Sequence, residues 1–269
     1  MKLNSQTYGN GQDVVLLHGW GLSAAVWEET AQTLAQNFRV TLVDLPGYGQ
    51  SPLPGSAYTL EALADRVLAA APSQAIWVGW SLGGMVAMQA ALRQPQRIVG
   101  LVLVASTPRF VQGSDWRHAV EISVLDTFAQ ELKSNYRATV MRFLALQVRG
   151  SEYAQNTIRK LSARLFDYSA PLPEALHGGL ALLRDTDLRT ELAHISCPAL
   201  VIAGTHDTLI PLATAETLVL MLKSARLRII HGAGHAPLLS HPQEFLQAVT
   251  EFIDEQSTTD NCSGAASAR

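Results

Sequence analysis

Short apolar runs punctuate the chain at Val14–Leu17, Val40–Val43, Ile76–Val78, Leu101–Val104, Ala199–Ala203 and Leu227–Ile230. Each has the length of a strand, and the segments between most of them read as helices. Strands alternating with helices predict an α/β architecture built on a mostly parallel, doubly wound sheet. The runs in "VVLLHG" and "LVLVAS" are apolar at successive positions, as strands covered by helices on both faces must be. Function in such a sheet belongs at the carboxyl ends of the strands. The spacing breaks once, between Ala105 and Ala199, where a long stretch reads as helices. The pattern therefore predicts an α/β domain from 1–106 and 191–255, with an inserted helical cap over 107–190. The polar, small-residue segment 256–269, "QSTTDNCSGAASAR", is expected to be a disordered tail.

Composition narrows the class. With 269 residues, 48% of them hydrophobic, the chain can bury one large core. A formal net charge of −3 argues against a generally basic nucleic-acid-binding protein and gives no strong pull toward an anionic membrane. The start, "MKLNSQTYGNGQDVV", has no apolar signal region, and no run approaches about 18 apolar residues. A cytoplasmic protein is expected. Of the two cysteines, Cys197 precedes Pro198 at a strand start and Cys262 lies in the polar tail, so neither a disulfide framework nor a metal site is suggested.

The candidate chemistry centres on "AIWVGWSLGGMVAMQAAL". A strand runs into Gly79-Trp80-Ser81-Leu82-Gly83, and a helix starts at about Leu82. This G-x-S-x-G spacing puts a serine on a tight strand-to-helix turn, beside the free N–H groups and positive end of a helix. A serine hydroxyl is a weak nucleophile at neutral pH, so it needs a histidine base and an acid to orient that base. Of the eight histidines, His235 in "HGAGHAPLLSHP" follows the last strand by a glycine-rich loop, while His231 and His241 read as structural. Asp207 in "ALVIAGTHDTLIP" lies just past another strand. Ser81, Asp207 and His235 thus occur as nucleophile, acid and base, all at one sheet edge. Asp44 also ends a strand, but it precedes a Pro-Gly turn and reads as a turn-capping carboxylate. Asp185 and Asp187 are weaker alternatives. For the oxyanion, the N–H groups of Leu82 and of Trp20 in "LLHGWG" are the expected donors.

Taken together, "HGWG", "LVDLPGYGQS", "AIWVGWSLGG", "RFLALQ", "THDTLIP" and "GHAPLLSHP" resemble, within the α/β hydrolases, the pimeloyl-[acyl-carrier protein] methyl ester esterases of bacterial biotin synthesis. The resemblance implies hydrolysis of a methyl ester on a pimeloyl-carrier protein, with no metal or organic cofactor. It also implies substrate contacts at Trp20, Ser81, Leu82, Phe143, Leu144, Ala145, Leu146, Gln147 and His235, and an acyl carrier protein as partner of a monomeric enzyme.

From Gln130 to Leu165 the chain carries Lys133, Arg137, Arg142, Arg149, Arg159, Lys160 and Arg164 against only Glu131 and Glu152. Arg142, Arg149, Arg159 and Lys160 are the expected docking residues for an acidic carrier. Arg142 and Arg149, seven apart, would share a helix face. Where the family has further cap arginines, this sequence has Ala138 and Gln155. The remaining readings are a broad short-chain carboxylesterase with the same triad and, in another class, a catalytically silent ligand receptor on the same scaffold.

Overall fold

The computed structural model describes residues 2–149, 151–166 and 170–266. Seven strands form one sheet: β1 (Ser5–Tyr8), β2 (Asp13–Leu17), β3 (Arg39–Val43), β4 (Ala75–Trp80), β5 (Ile98–Val104), β6 (Ala199–Gly204) and β7 (Ala225–Ile230). Their spatial order is β1-β3-β2-β4-β5-β6-β7. All neighbours are parallel except β1, which pairs antiparallel with β3 at the edge. The six apolar runs read from the sequence are the six parallel strands. The strand absent from that reading is β1, whose polar "SQTY" is largely exposed.

Around the sheet lie α1 (Glu28–Leu34), α2 (Leu60–Ala70), α3 (Leu82–Arg93), α7 (Leu212–Met221), the short α8 (Pro237–Ser240) and α9 (Pro242–Ala266). Central β4 is buried at every position, and α3, which packs along β4 and β5, is buried from Leu82 through Ala91. Their apolar side chains supply much of the driving force, at about 25 cal/mol per Å² removed from water. Between β5 and β6 the chain inserts α4 (Ile122–Val148), α5 (Ala154–Phe166) and α6 (Pro173–Asp185). Arg109 at the start of this insertion donates to Asp187 at its return (2.9 Å), and Asp187 also binds Arg189 (2.8 Å). Hydrogen bonds from Arg189 and Arg109 hold the Asp187 carboxyl down at about 2.

α9 continues to Ala266, and 267–269 lie outside the described residues. One expectation about the insertion is corrected. α4 ends at Val148, and Arg149 leaves the helix with φ −58° and ψ 127°, so it does not share a helix face with Arg142. The next residue in sequence is Gly150, a poor helix former.

The order reverses at β2: the chain passes from β3 on one side of it to β4 on the other. That is the switch point at which open α/β sheets place their ligands.

Candidate active site

Two loops meet at the switch point. After β4 the chain turns sharply at Ser81, whose φ of 55° and ψ of −117° put a non-glycine residue in left-handed territory, at a cost of about 1–3 kcal/mol. Neighbouring groups hold it there. The Ser81 N–H donates to Val104 O (3.0 Å), and Ser81 O accepts from Gly84 N–H (2.9 Å) and the Ser106 hydroxyl (2.8 Å). Glycine at 79 and 83 is required by proximity: a Cβ on Gly79 would stand 2.5 Å from Gly83 O. Leu82 opens α3, so its N–H has no acceptor within the helix. After β2, the loop carrying Trp20 runs beside the serine, for a Cβ on Gly19 would lie 3.3 Å from the Ser81 Cβ.

That second loop is braced by His18. Its Nε2 accepts the Leu45 N–H (3.0 Å), which leaves Nδ1 to donate to Gly19 O (2.8 Å). The ring is therefore neutral, and burial, opposed by nearby Asp44, lowers its affinity for a second proton. Asp44 fastens loops as its turn position suggests: Oδ1 accepts from Ala24 N–H (2.8 Å), and Oδ2 from Asn4 Nδ2 (2.7 Å) and Gln50 N–H (3.0 Å).

Past β6 and β7 lie the other two candidates. Asp207 Oδ1 accepts the N–H groups of Leu209 (2.8 Å) and Ile210 (2.9 Å), while Oδ2 lies 2.8 Å from His235 Nδ1. Both side chains are fully buried. The loop from β7 is drawn back toward β4: His206 N–H donates to Ala233 O (2.9 Å), and the Trp80 indole N–H donates to His235 O (2.7 Å). Ser81 Oγ and His235 Nε2 are both buried without a hydrogen-bond partner among the described residues. Burying a polar atom unpaired costs about 1–3 kcal/mol. A hydroxyl and an imidazole nitrogen left open on adjoining loops suit a substrate more than a fold.

The insertion closes over these loops. Phe143 meets Trp20 edge-on (4.8 Å between ring centres) and Phe128 likewise (5.5 Å). The Trp20 indole N–H donates to Leu176 O of α6 (2.9 Å).

A family model for the α/β hydrolase fold matches residues 14–242. Pimeloyl-[acyl-carrier protein] methyl ester esterases from Serratia marcescens and Aeromonas salmonicida are 47% and 44% identical to the chain, over 92% and 94% of it and 96% and 100% of their own lengths. The chain belongs to this esterase family of α/β hydrolases. Among solved structures, an esterase from Exiguobacterium antarcticum superposes with a TM-score of 0.84 at 23% identity, covering 94% of this chain and 95% of that one. A hydrolase from Pseudomonas aeruginosa does so with 0.76 at 30%, covering 93% and 94%. The protein is thus a carboxylic ester hydrolase by family.

For this esterase family member, the structure separates the expected substrate contacts. Trp20, Leu82, Phe143, Leu144 and Gln147 are buried, Leu146 is half-buried, and Ala145 is exposed. Five consecutive helical residues span more than a full turn, so one of them must face out. Of the expected docking residues, Arg142 pairs with Glu131 and Lys160 with Glu29 (3.0 Å). Arg159 bonds the neutral Asn156 (2.9 Å) and Arg149 is exposed. The Arg164 side chain lies outside the described residues. Sequence reasoning missed the contributions of Trp80, Ser106 and His18; Trp80 inside the G-x-S-x-G motif and His18 inside "HGWG" carried a visible signal, and Ser106 carried none. Among the described residues no group of three or more His, Cys, Asp or Glu is placed to hold a metal, and no helix is long and apolar enough to cross a membrane.

Proposed function

We propose that the protein hydrolyses the methyl ester of pimeloyl-[acyl-carrier protein], giving pimeloyl-[acyl-carrier protein] and methanol for biotin synthesis. It acts as a cytoplasmic monomer. The observation that carries the catalytic half of this reading is the pair of buried, unpartnered atoms Ser81 Oγ and His235 Nε2, with His235 Nδ1 held on Asp207. The substrate follows from the family.

In the first half-reaction Ser81 Oγ bonds to the ester carbonyl carbon while its proton passes to His235 Nε2. Asp207 holds the ring with Nδ1–H toward it and stabilises the imidazolium. The former carbonyl oxygen, now negative, accepts the N–H groups of Trp20 and Leu82. Collapse breaks the bond to methoxide, which takes the proton from Nε2 and leaves as methanol. In the second half-reaction water attacks the acyl-enzyme, giving its proton to His235. Collapse then frees the carboxyl group and returns the proton to Ser81.

Residues 107–190 act as a cap on the catalytic domain formed by 1–106 and 191–255. The acyl chain runs past Phe143, Leu144, Leu146 and Gln147, and the carrier docks on the cap's basic surface at Arg142, Arg149, Arg159 and Lys160. Arg149 and Arg159 carry most of that attraction, because Arg142 and Lys160 already face carboxylates. A fluorophosphonate probe tests the catalytic half: the account expects stoichiometric labelling at Ser81 that is lost in His235→Ala. An unlabelled parent protein would mean a catalytically silent receptor.

A further inference from the structure

α4 is two helices in series. Asn135, with φ −155° and ψ 83°, breaks it, and the Asn135 side-chain oxygen accepts Ala138 N–H (3.1 Å), capping the second segment. At the other end that segment runs into the loop of the candidate base. The last carbonyls of a helix have no partner within it, and here Gln147 O accepts the His235 N–H (2.9 Å). Five residues further along the chain, Glu152 N–H donates to Gly232 O (3.1 Å). His235 is thus held by its own main chain from two sides: its N–H by the insertion, its carbonyl by the Trp80 indole. The approach is close at Gly234, where a Cβ would stand 2.9 Å from Gln147 O and 3.3 Å from the Ser151 Cβ.

We infer that the carboxyl end of α4 is a positioning element for the base, with the Gln147 main-chain carbonyl fixing His235 and the negative end of the helix favouring the imidazolium that forms during turnover. A helix C-terminus carries roughly half a negative charge, which favours a cation within the last turn. The inference rests on the reading of His235 as general base. It assigns the insertion a part in the chemical step as well as in substrate recognition, so a defect in this helix end should reach even substrates that never touch the carrier surface.

The test uses the full-length protein and a small free ester, which removes carrier docking from the measurement. Gly234→Ala pushes the Gln147 carbonyl away from the base loop. It should lower kcat by about tenfold or more with KM within about twofold, since the lost interaction acts in the transition state. Asn135→Ala uncaps the segment at its far end and should lower kcat by about threefold, while Asn135→Asp, which keeps a capping oxygen, should restore it. Parent-like kcat in either Gly234→Ala or Asn135→Ala overturns the inference, as does an Asn135→Ala loss that Asp fails to rescue. Ser81→Ala and His235→Ala serve as controls. Turnover surviving in those two would overturn the triad itself, whereas inactive controls beside unaffected helix variants would remove only the positioning role.

Discussion

The two halves of the site are built differently. On the sheet side, Ser81, Asp207 and His235 are held by main-chain bonds at strand ends: a strained elbow bonded to β5, and a carboxylate accepting two N–H groups. On the insertion side, Phe143, Leu144 and Gln147 are held by a broken helix and by packing of aromatic rings. Strand ends in a seven-stranded sheet have little freedom. A helix hinged at Asn135 and tied to the base loop by single hydrogen bonds has more. Under the proposed function, reactivity belongs to the sheet edge and choice of substrate to the insertion, and the hydrogen bond from His235 N–H to Gln147 O joins the two.

The sharpest way to break that division is to remove reactive atoms from the sheet side. Ser81→Ala and His235→Ala should each lower kcat by about 10⁴-fold or more, with unfolding midpoints near the parent's, because only binding and oxyanion stabilisation remain. Steady-state kinetics beside thermal unfolding checks this. Ester hydrolysis near parent rates in Ser81→Ala would remove the serine from the mechanism.

Changes on the insertion side should be smaller and selective. Reversing charge at Arg149 and Arg159 should depress kcat/KM for a carrier-bound methyl ester by about tenfold at low salt and progressively less as salt rises, since the Debye length shrinks to about 8 Å at physiological ionic strength. Hydrolysis of a small free ester should stay within about twofold. A salt series on both substrates separates docking from folding, because equal losses on the two would mean that the arginines support the insertion itself.

Phe143→Ala should alter chain-length preference by several-fold without erasing activity, in keeping with roughly 1–3 kcal/mol per methylene-sized change in an apolar pocket. Its measure is a series of free methyl esters of increasing length. Superimposable profiles for variant and parent would place the acyl path elsewhere.

The sequence read well where function is local along the chain. The elbow is five contiguous residues, and the inner strands β4, β5 and β6 are near-continuous apolar runs because both of their faces are covered. β1 escaped because it lies at the edge, exposed, with no apolar run to betray it. The link between Trp80 and His235 spans 155 positions and has no periodicity to read. The Gln147 contact is made by a main-chain carbonyl, which no side-chain pattern reports. A seven-residue spacing puts Arg149 on the helix face of Arg142 only if the helix continues, and α4 stops one residue before it.

The smallest expected effect concerns the brace under the loop that carries Trp20. His18 is neutral in the fold because burial, partly offset by Asp44, depresses its proton affinity. The unfolded chain binds that proton near pH 6.5, so the unfolded state gains protons first as the solution is acidified. The contribution of His18 to stability is complete above about pH 6.5 and falls away as the pH drops through the lowered folded value. Unfolding midpoints between pH 7.5 and 5, measured for parent and His18→Asn, should draw together toward acid, on the scale of a few degrees at this chain size. A constant gap would show that His18 does not titrate on unfolding.

The most direct measurement gives the purified protein a carrier protein bearing the pimeloyl methyl ester and follows methanol release alongside the mass of the carrier. The account predicts one methanol per carrier, a carrier lighter by one methylene with its thioester intact, and no reaction with Ser81→Ala. Cleavage at the thioester, or an untouched methyl ester while small free esters are hydrolysed, would contradict it.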